Sequence, residues 1–204
     1  IRPPEKGDAA VNELVIVEHD AETGVARIVL NRPDVLNAVD VAMAQALAAA
    51  IDDVAGRKNV RAIVLAANGR AFVAGGDISA FGSDHSRSAE VVNAIVDAMH
   101  PAILRLREQD APVIAAVRGA AAGAALSLVL AADLVVAEEG TKFVIAYDKI
   151  GVSPDCGGTW FLARKVGAAL ASEMMILSRT LDAAEAKAAG VVNFVAPQGE
   201  RETA

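Results

Sequence analysis

The sequence predicts one α/β domain assembled from a recurring strand, strand, helix unit. Three observations predict it. β-prone runs alternate with stretches of helical periodicity, no low-complexity linker interrupts them, and the apolar residues are mostly small. A chain of 204 residues can bury one sizeable core, alone or with a short appendage. Hydrophobic residues make up 54% of it but aromatics only 3%, so alanine and valine must pack helices closely against sheets.

After a polar leader, Leu14 to Val17 and Val25 to Leu30 read as short strands, joined across Asp20-Ala-Glu-Thr-Gly24 as a hairpin turn. Asp40 is placed to cap a helix over Val41 to Val54, and Gly56 to stop it. The β-branched run Val60 to Ala66 ends at the turn Asn68-Gly69, and a further strand leads to Gly75-Gly76. A polar loop runs to about Ser88, followed by a helix with apolar positions Val92, Ile95, Met99, Ile103 and Leu106. Pro112 to Val117 is a buried strand, Ala121 to Leu130 a nearly all-apolar helix and Leu134 to Val136 another strand. Helices over Thr159 to Val166, Ala168 to Leu177 and Ala183 to Ala188 precede a last strand, Val191 to Val195. The expected division is a core domain over 1–158 and a helical C-terminal region over 159–204.

The formal net charge of −7 argues against nucleic acid and against an anionic membrane surface, since both demand a basic face. Cys156 is the single cysteine, so no intrachain disulfide forms, as a reducing compartment would leave it. Residues Ile1 to Asp8 do not read as a signal peptide, and the longest apolar stretch, Ala120 to Ala132, is too short to span a bilayer. The expectation is a soluble cytoplasmic protein that binds neither membrane nor nucleic acid.

Several segments stand out together: Asn31-Arg-Pro-Asp-Val-Leu-Asn-Ala38, Ala71-Phe-Val-Ala-Gly-Gly-Asp-Ile78, Pro112-Val-Ile-Ala-Ala-Val-Arg-Gly119, Ala131-Ala-Asp133 and Gly151-Val-Ser-Pro-Asp-Cys-Gly-Gly-Thr159. In order and spacing they resemble the crotonase (enoyl-CoA hydratase/isomerase) superfamily from about Leu14 to Val195. The resemblance is nearest to phenylacetate-pathway-type enoyl-CoA isomerases. It implies a crotonase-like spiral of ββα units with two roughly perpendicular sheets and a C-terminal helical trimerisation region, assembled as a homotrimer or homohexamer. It implies an acyl-CoA substrate and no metal or redox cofactor, coenzyme A arriving as part of the substrate. Family members run on through further helices, whereas this chain stops at Ala204.

Moving a proton next to a thioester carbonyl places negative charge on its oxygen, and donors preorganised around that oxygen are usually the largest catalytic contribution. Glycines let a backbone N–H come close enough to serve. The resemblance assigns one such donor to Gly76 and the second to Ala124, near the start of a small-residue helix whose N–H groups and dipole both favour an anion. Where the family commonly has glycine at the second position, alanine is expected to restrict the backbone. Taken alone, Gly75-Gly76 also reads as a plain turn, and Gly119 and Gly123 as close packing. For coenzyme A the resemblance implies a groove along Val35, Leu36 and Ala38, with backbone near Ala74, Asp77 and Ile78 closing over the nucleotide. Arg32 either meets a phosphate or is solvated or salt-bridged, and Asp34 and Asn37 either line that groove or shape the turn after Pro33.

Acid/base work needs a titratable group beside the reacting carbons. By the resemblance, Ser127 and Tyr147 stand where hydratases carry two glutamates, and neither replaces a carboxylate. Asp155 is the alternative carboxylate, since a single base can take a proton from one carbon and return it two bonds away. Apolar Trp160 and Phe161 are expected to bury it and tune it. The competing reading makes Asp155 the cap of a helix starting near Gly157. Tyr147 either donates to the acyl group or packs with its hydroxyl at the surface, and Asp148 beside it is expected to be solvated. His85 in the polar loop either contacts coenzyme A or is an exposed loop histidine, His100 before Pro101 is expected to be structural, and Cys156 is expected to be a small buried thiol with no histidine near it in sequence. No spacing of His, Cys and carboxylates suggests a metal site. The expectation is therefore an enzyme that isomerises enoyl-CoA double bonds through Gly76, Ala124 and Asp155. Hydration, another hydrolase or lyase reaction of the same superfamily, and a catalytically silent acyl-CoA-binding role stand as alternatives.

Overall fold

The structure is a computed structural model describing residues 10–12, 14–77, 79, 85–148 and 151–198. Its strands are β1 (Ala10–Asn12), β2 (Val15–Asp20), β3 (Val25–Leu30), β4 (Ala62–Ala67), β5 (Val113–Val117), β6 (Ala120–Ala122), β7 (Leu134–Glu138), β8 (Lys142–Val144), β9 (Leu181–Asp182) and β10 (Phe194–Ala196). The helices are α1 (Val41–Gly56), α2 (His85–Glu108), α3 (Ala124–Ala131), α4 (Gly158–Ile176) and α5 (Ala183–Ala188).

Asp20 sets the first hairpin, its carbonyl accepting the Gly24 N–H at 2.8 Å and its carboxylate the Glu22 N–H at 2.9 Å. From there β3, β4, β5, β7 and β10 run parallel, giving a seven-stranded sheet in the order β1-β2-β3-β4-β5-β7-β10. Parallel strands are covered on both faces, which is why they read as continuous Ala/Val/Ile/Leu runs. Ile63, Leu65, Val113, Ala115 and Val117 enter the main core, while Val29, Ala66 and Ala116 form a separate small cluster with Ile16 and Val64. A three-stranded sheet, β6-β8-β9, is the second layer, and single bridges at Val73 to Ala121 and Val39 to Gly76 tie the intervening loops to it and to each other.

The α1 cap falls where expected, with the Met43 N–H donating to Asp40 Oδ1 at 2.8 Å. Helix α4 turns at Gly167, whose φ of 79° divides it where two helices were expected. Helices α1 to α4 share one core with the sheets, through Met43, Leu47 and Ile51, then Met99, Leu126, Leu128, Leu162 and Met174. No helix among the described residues is long and apolar enough to cross a membrane.

Three expectations change. The run from Ala121 begins not as helix but as β6, paired with β8, and α3 starts only after Gly123. Alanine carries no periodic signal there, and it is the φ of 58° at Gly123 that separates strand from helix. The strand expected before Gly75 reduces to the bridge at Val73. The last strand begins at Phe194, not Val191, because Asn193 exchanges two bonds with the Val135 backbone (2.8 and 2.9 Å) before pairing with β7 starts.

Candidate active site

Asn37 builds the first wall. It is fully buried, its Oδ1 accepts the Arg32 N–H at 2.7 Å, and its Nδ2 donates to the Asn68 and Ala71 carbonyls at 2.9 and 3.0 Å. Of the two readings for Asn37, the turn-shaping one holds. The folded loop brings Leu36 and Val39 against the glycine turn, with the Ala74 N–H on the Leu36 carbonyl (3.1 Å) and the Val39 N–H on the Gly75 carbonyl (2.9 Å). Val35 and Ala74 lie exposed, and Leu36 and Ala38 are half-buried. Ile78 lies outside the described residues.

Arg32 is salt-bridged. Its Nη1 contacts Asp40 and Asp77 at 3.0 Å each and donates to the Ala38 carbonyl at 3.0 Å. Asp77 also accepts the Ser79 hydroxyl, and that bond, followed by Arg32, holds its carboxyl below the usual carboxylate range against the opposing effect of burial.

Two glycine turns meet next to this wall. Gly75 has φ 118° and Gly123 has φ 58°, conformations that a side chain resists. A Cβ placed on Gly123 would lie 4.0 Å from the Gly75 Cα, so the two backbones pass side by side. Each turn is followed by one of the expected donors. Among the described residues nothing accepts from the amides of Gly76 and Ala124. For Ala124 the reason is its place as the first residue of α3, where no preceding turn supplies a carbonyl. The alanine there does not restrict the backbone as expected, since Gly123 takes the left-handed φ and Ala124 is already helical.

Asp155 is half-buried and does not cap α4. The N-cap is Gly157 with no side-chain bond, and it is the Asp155 carbonyl that takes the Gly158 N–H, at 2.8 Å. The carboxylate instead accepts a hydrogen bond on Oδ1 from the Tyr147 hydroxyl. Tyr147 is only 7% exposed, and its ring lies 4.0 Å from the position of a Gly123 Cβ, so it bridges the second glycine turn and the carboxylate. The expectation that its hydroxyl reaches the surface is therefore overturned: the surrounding apolar residues favour an inward phenol once an acceptor is available. Burial first, and then the Asp155 charge, push the phenol above its ordinary range.

Two further contacts were not read from the sequence. Buried Ser127 donates its hydroxyl to the Asp155 carbonyl at 3.1 Å, and His100 Nε2 accepts the Cys156 N–H at 2.9 Å. Ser127 and Tyr147 stand where the resemblance puts two glutamates, which is a usable signal; His100, far away in sequence, carries none. Cys156 is buried as expected, with burial and then Asp155 pushing its thiol upward. Asp148 is exposed and accepts the Ser178 hydroxyl.

The burial expected from Trp160 is not found. Its ring is 54% exposed, with the Arg164 guanidinium stacked 3.7 Å from the centroid, and Phe161 packs edge-on to it and against Gly157. Trp160 thus points outward, whereas Phe161 is half-buried and packs against the main core. A cavity of about 400 Å³ lies against the first turn of α4, lined by Ile103, Leu104, Cys156, Trp160 and Phe161 among others, but not by Gly76, Ala124 or Asp155.

The arrangement resembles known proteins. A sequence profile of the family "Enoyl-CoA hydratase/isomerase" matches residues 20–203. The chain is 38% identical over 176 residues to a probable enoyl-CoA hydratase of Rhodobacter capsulatus, covering 86% of this chain and 66% of that one. It is 38% identical over 178 residues to the 1,2-epoxyphenylacetyl-CoA isomerase of Escherichia coli, covering 87% and 68% respectively. The crystal structure of an enoyl-CoA hydratase from Mycobacterium smegmatis superposes with a TM-score of 0.85 at 34% identity, over 94% of this chain and 73% of that one. The chain thus spans about two thirds of the length of the curated relatives it matches.

Proposed function

The chain belongs to the enoyl-CoA hydratase/isomerase family, of the crotonase superfamily, and from that premise we propose that it moves the double bond of an enoyl-CoA through an enolate. The observation that carries this reading is the orientation of Asp155: its carboxylate turns away from the helix it precedes and toward Tyr147, whose ring lies near the turn that leads to Ala124. In this reading the amides of Gly76 and Ala124 receive the thioester oxygen. A donor of this kind contributes about 100- to 1000-fold in rate.

Asp155 then takes a proton from the α carbon of a 3-enoyl thioester, the electron pair delocalises toward the thioester oxygen, and the same proton returns at the γ carbon. The carboxylate is regenerated and nothing is consumed. Val35, Leu36, Ala38, Ala74 and Asp77 line the coenzyme A groove, the Asp77 contribution coming from its backbone because Arg32 and Ser79 occupy its side chain. Isomerisation is favoured over hydration because Ser127 and Tyr147 supply no pair of carboxylates to activate a water, and one of the relatives above is itself named an isomerase. Assembly as a trimer or hexamer, with residues 159–204 forming the subunit contact, is part of the same proposal, as is a cytoplasmic location and catalysis without metal or redox cofactor.

The test is to incubate the protein with 3-enoyl-CoA and 2-enoyl-CoA and separate the products. Interconversion of the two, lost by at least about 100-fold in Asp155→Ala with coenzyme A binding retained, is the expected result. A 3-hydroxyacyl-CoA as main product makes it a hydratase. Conversion of neither substrate with intact coenzyme A binding makes it a silent binding protein.

A further inference from the structure

Resting on the reading of Asp155 as the proton carrier, we propose that Tyr147 is a positioning residue for it: the phenol holds Oδ1 and leaves Oδ2 as the oxygen that exchanges the proton. The peptide that follows Asp155 is held independently. Ser127 Oγ and the Gly158 N–H both donate to the Asp155 carbonyl (3.1 and 2.8 Å), and the next amide, that of Cys156, donates to His100 on α2 (2.9 Å). With that peptide held, rotation about the side-chain bonds decides where the Asp155 carboxylate points. The Tyr147 hydroxyl takes that freedom away.

The tyrosine is itself immobilised. It is buried, its carbonyl accepts the Val152 N–H at 3.2 Å, and its ring lies near Gly123, where a Cβ would stand 4.0 Å from Cζ. Since Gly123 immediately precedes Ala124, the ring lies near an expected oxyanion donor as well as bonded to the expected base. The hydroxyl stays a donor, because burial and the neighbouring carboxylate both oppose its ionisation. The Cys156 thiol is pushed upward by burial and by Asp155, and His100 accepts the Cys156 N–H through Nε2. During double-bond migration Oδ2 gains the α proton and gives it up at the γ carbon, while the O–H bond of Tyr147 is never broken.

Tyr147 is the sole tyrosine of the sequence, which makes the idea open to a direct test. In the full chain, Tyr147→Phe keeps the ring and removes the hydroxyl. The expected result is a fall in kcat for double-bond migration of about 10- to 100-fold, as loss of a fixed geometry produces, with KM changed less than about threefold. In protein isotopically labelled at tyrosine Cζ, the single resonance shifts in Asp155→Ala, a readout that does not depend on the phenylalanine variant folding. A Tyr147→Phe enzyme with kcat within about twofold of the parent, or a Cζ resonance indifferent to Asp155→Ala, overturns the proposal. If Asp155→Ala is inactive while Tyr147→Phe is fully active, the positioning role alone falls. If Asp155→Ala retains full turnover, the assignment of the base falls and takes this inference with it.

Discussion

Replacing Asn37 by alanine probes the residue that shapes the entrance to the site. The side chain makes three bonds to main-chain groups, from the Arg32 amide and to the Asn68 and Ala71 carbonyls, all between 2.7 and 3.0 Å and with Asn37 itself fully buried. Each such bond contributes about 1 kcal/mol net, and the Ala71 carbonyl left behind is buried, which adds to the loss. The backbone φ of 55° costs alanine about a further 1 kcal/mol, a conformation asparagine adopts more readily. The total is about 3–5 kcal/mol, or a fall in Tm of about 10 °C for a chain of this size. Asn37→Gly loses the same bonds but not the φ penalty, and recovers about 1 kcal/mol relative to alanine. Urea unfolding followed by circular dichroism measures both, through a lower midpoint at unchanged slope. A loss below about 1 kcal/mol for alanine, or no difference between alanine and glycine, refutes the reasoning. Because the same loop carries Val35 and Leu36, KM for acyl-CoA is expected to rise more than kcat falls.

Gly119→Ala places a Cβ 2.1 Å from the Arg70 carbonyl oxygen and 3.0 Å from the Ala71 Cα, backbone atoms that cannot step aside; a loss of about 3 kcal/mol or more is expected in urea unfolding, and a loss under about 1 kcal/mol contradicts the packing. Asp77 has its carboxyl lowered by Ser79 and Arg32, so its stabilisation is complete above the unfolded carboxylate value of about 3.9 and disappears as pH falls through the folded value. Asp77→Asn is therefore less stable than the parent at neutral pH, and the two unfolding midpoints converge on acidification; parallel curves at all pH values exclude this linkage. Cys156, buried and with its thiol pushed upward, is expected to react with a disulfide reagent only when denaturant is added, and fast reaction in native buffer contradicts its placement.

What the sequence determined by itself is what neighbouring residues decide among themselves. The Asp20 to Gly24 hairpin, the Asp40 cap of α1, the break of α4 at Gly167 and the parallel strands β4, β5 and β7 all lie close to where periodicity and turn chemistry put them. The segments around Gly75, Gly123 and Asp155 were recognisable as well, because each is a local motif in a family order. Where the signal was uniform it failed: alanine at 120–122 has the same look in β6 as in α3, and only pairing with β8 tells them apart.

Tertiary structure alone decided which side chains meet. Arg32 reaches Asp77, His100 reaches the amide of Cys156, and Tyr147 turns inward to Asp155 while Trp160 turns out. Each of these depends on where separate elements come to rest after the sheets close, and a hydrogen bond between them is selected by distance and burial that no short stretch of sequence encodes. The chemistry expected of this chain was legible as a set of residues, and the fold supplied the contact that orients the one carboxylate among them.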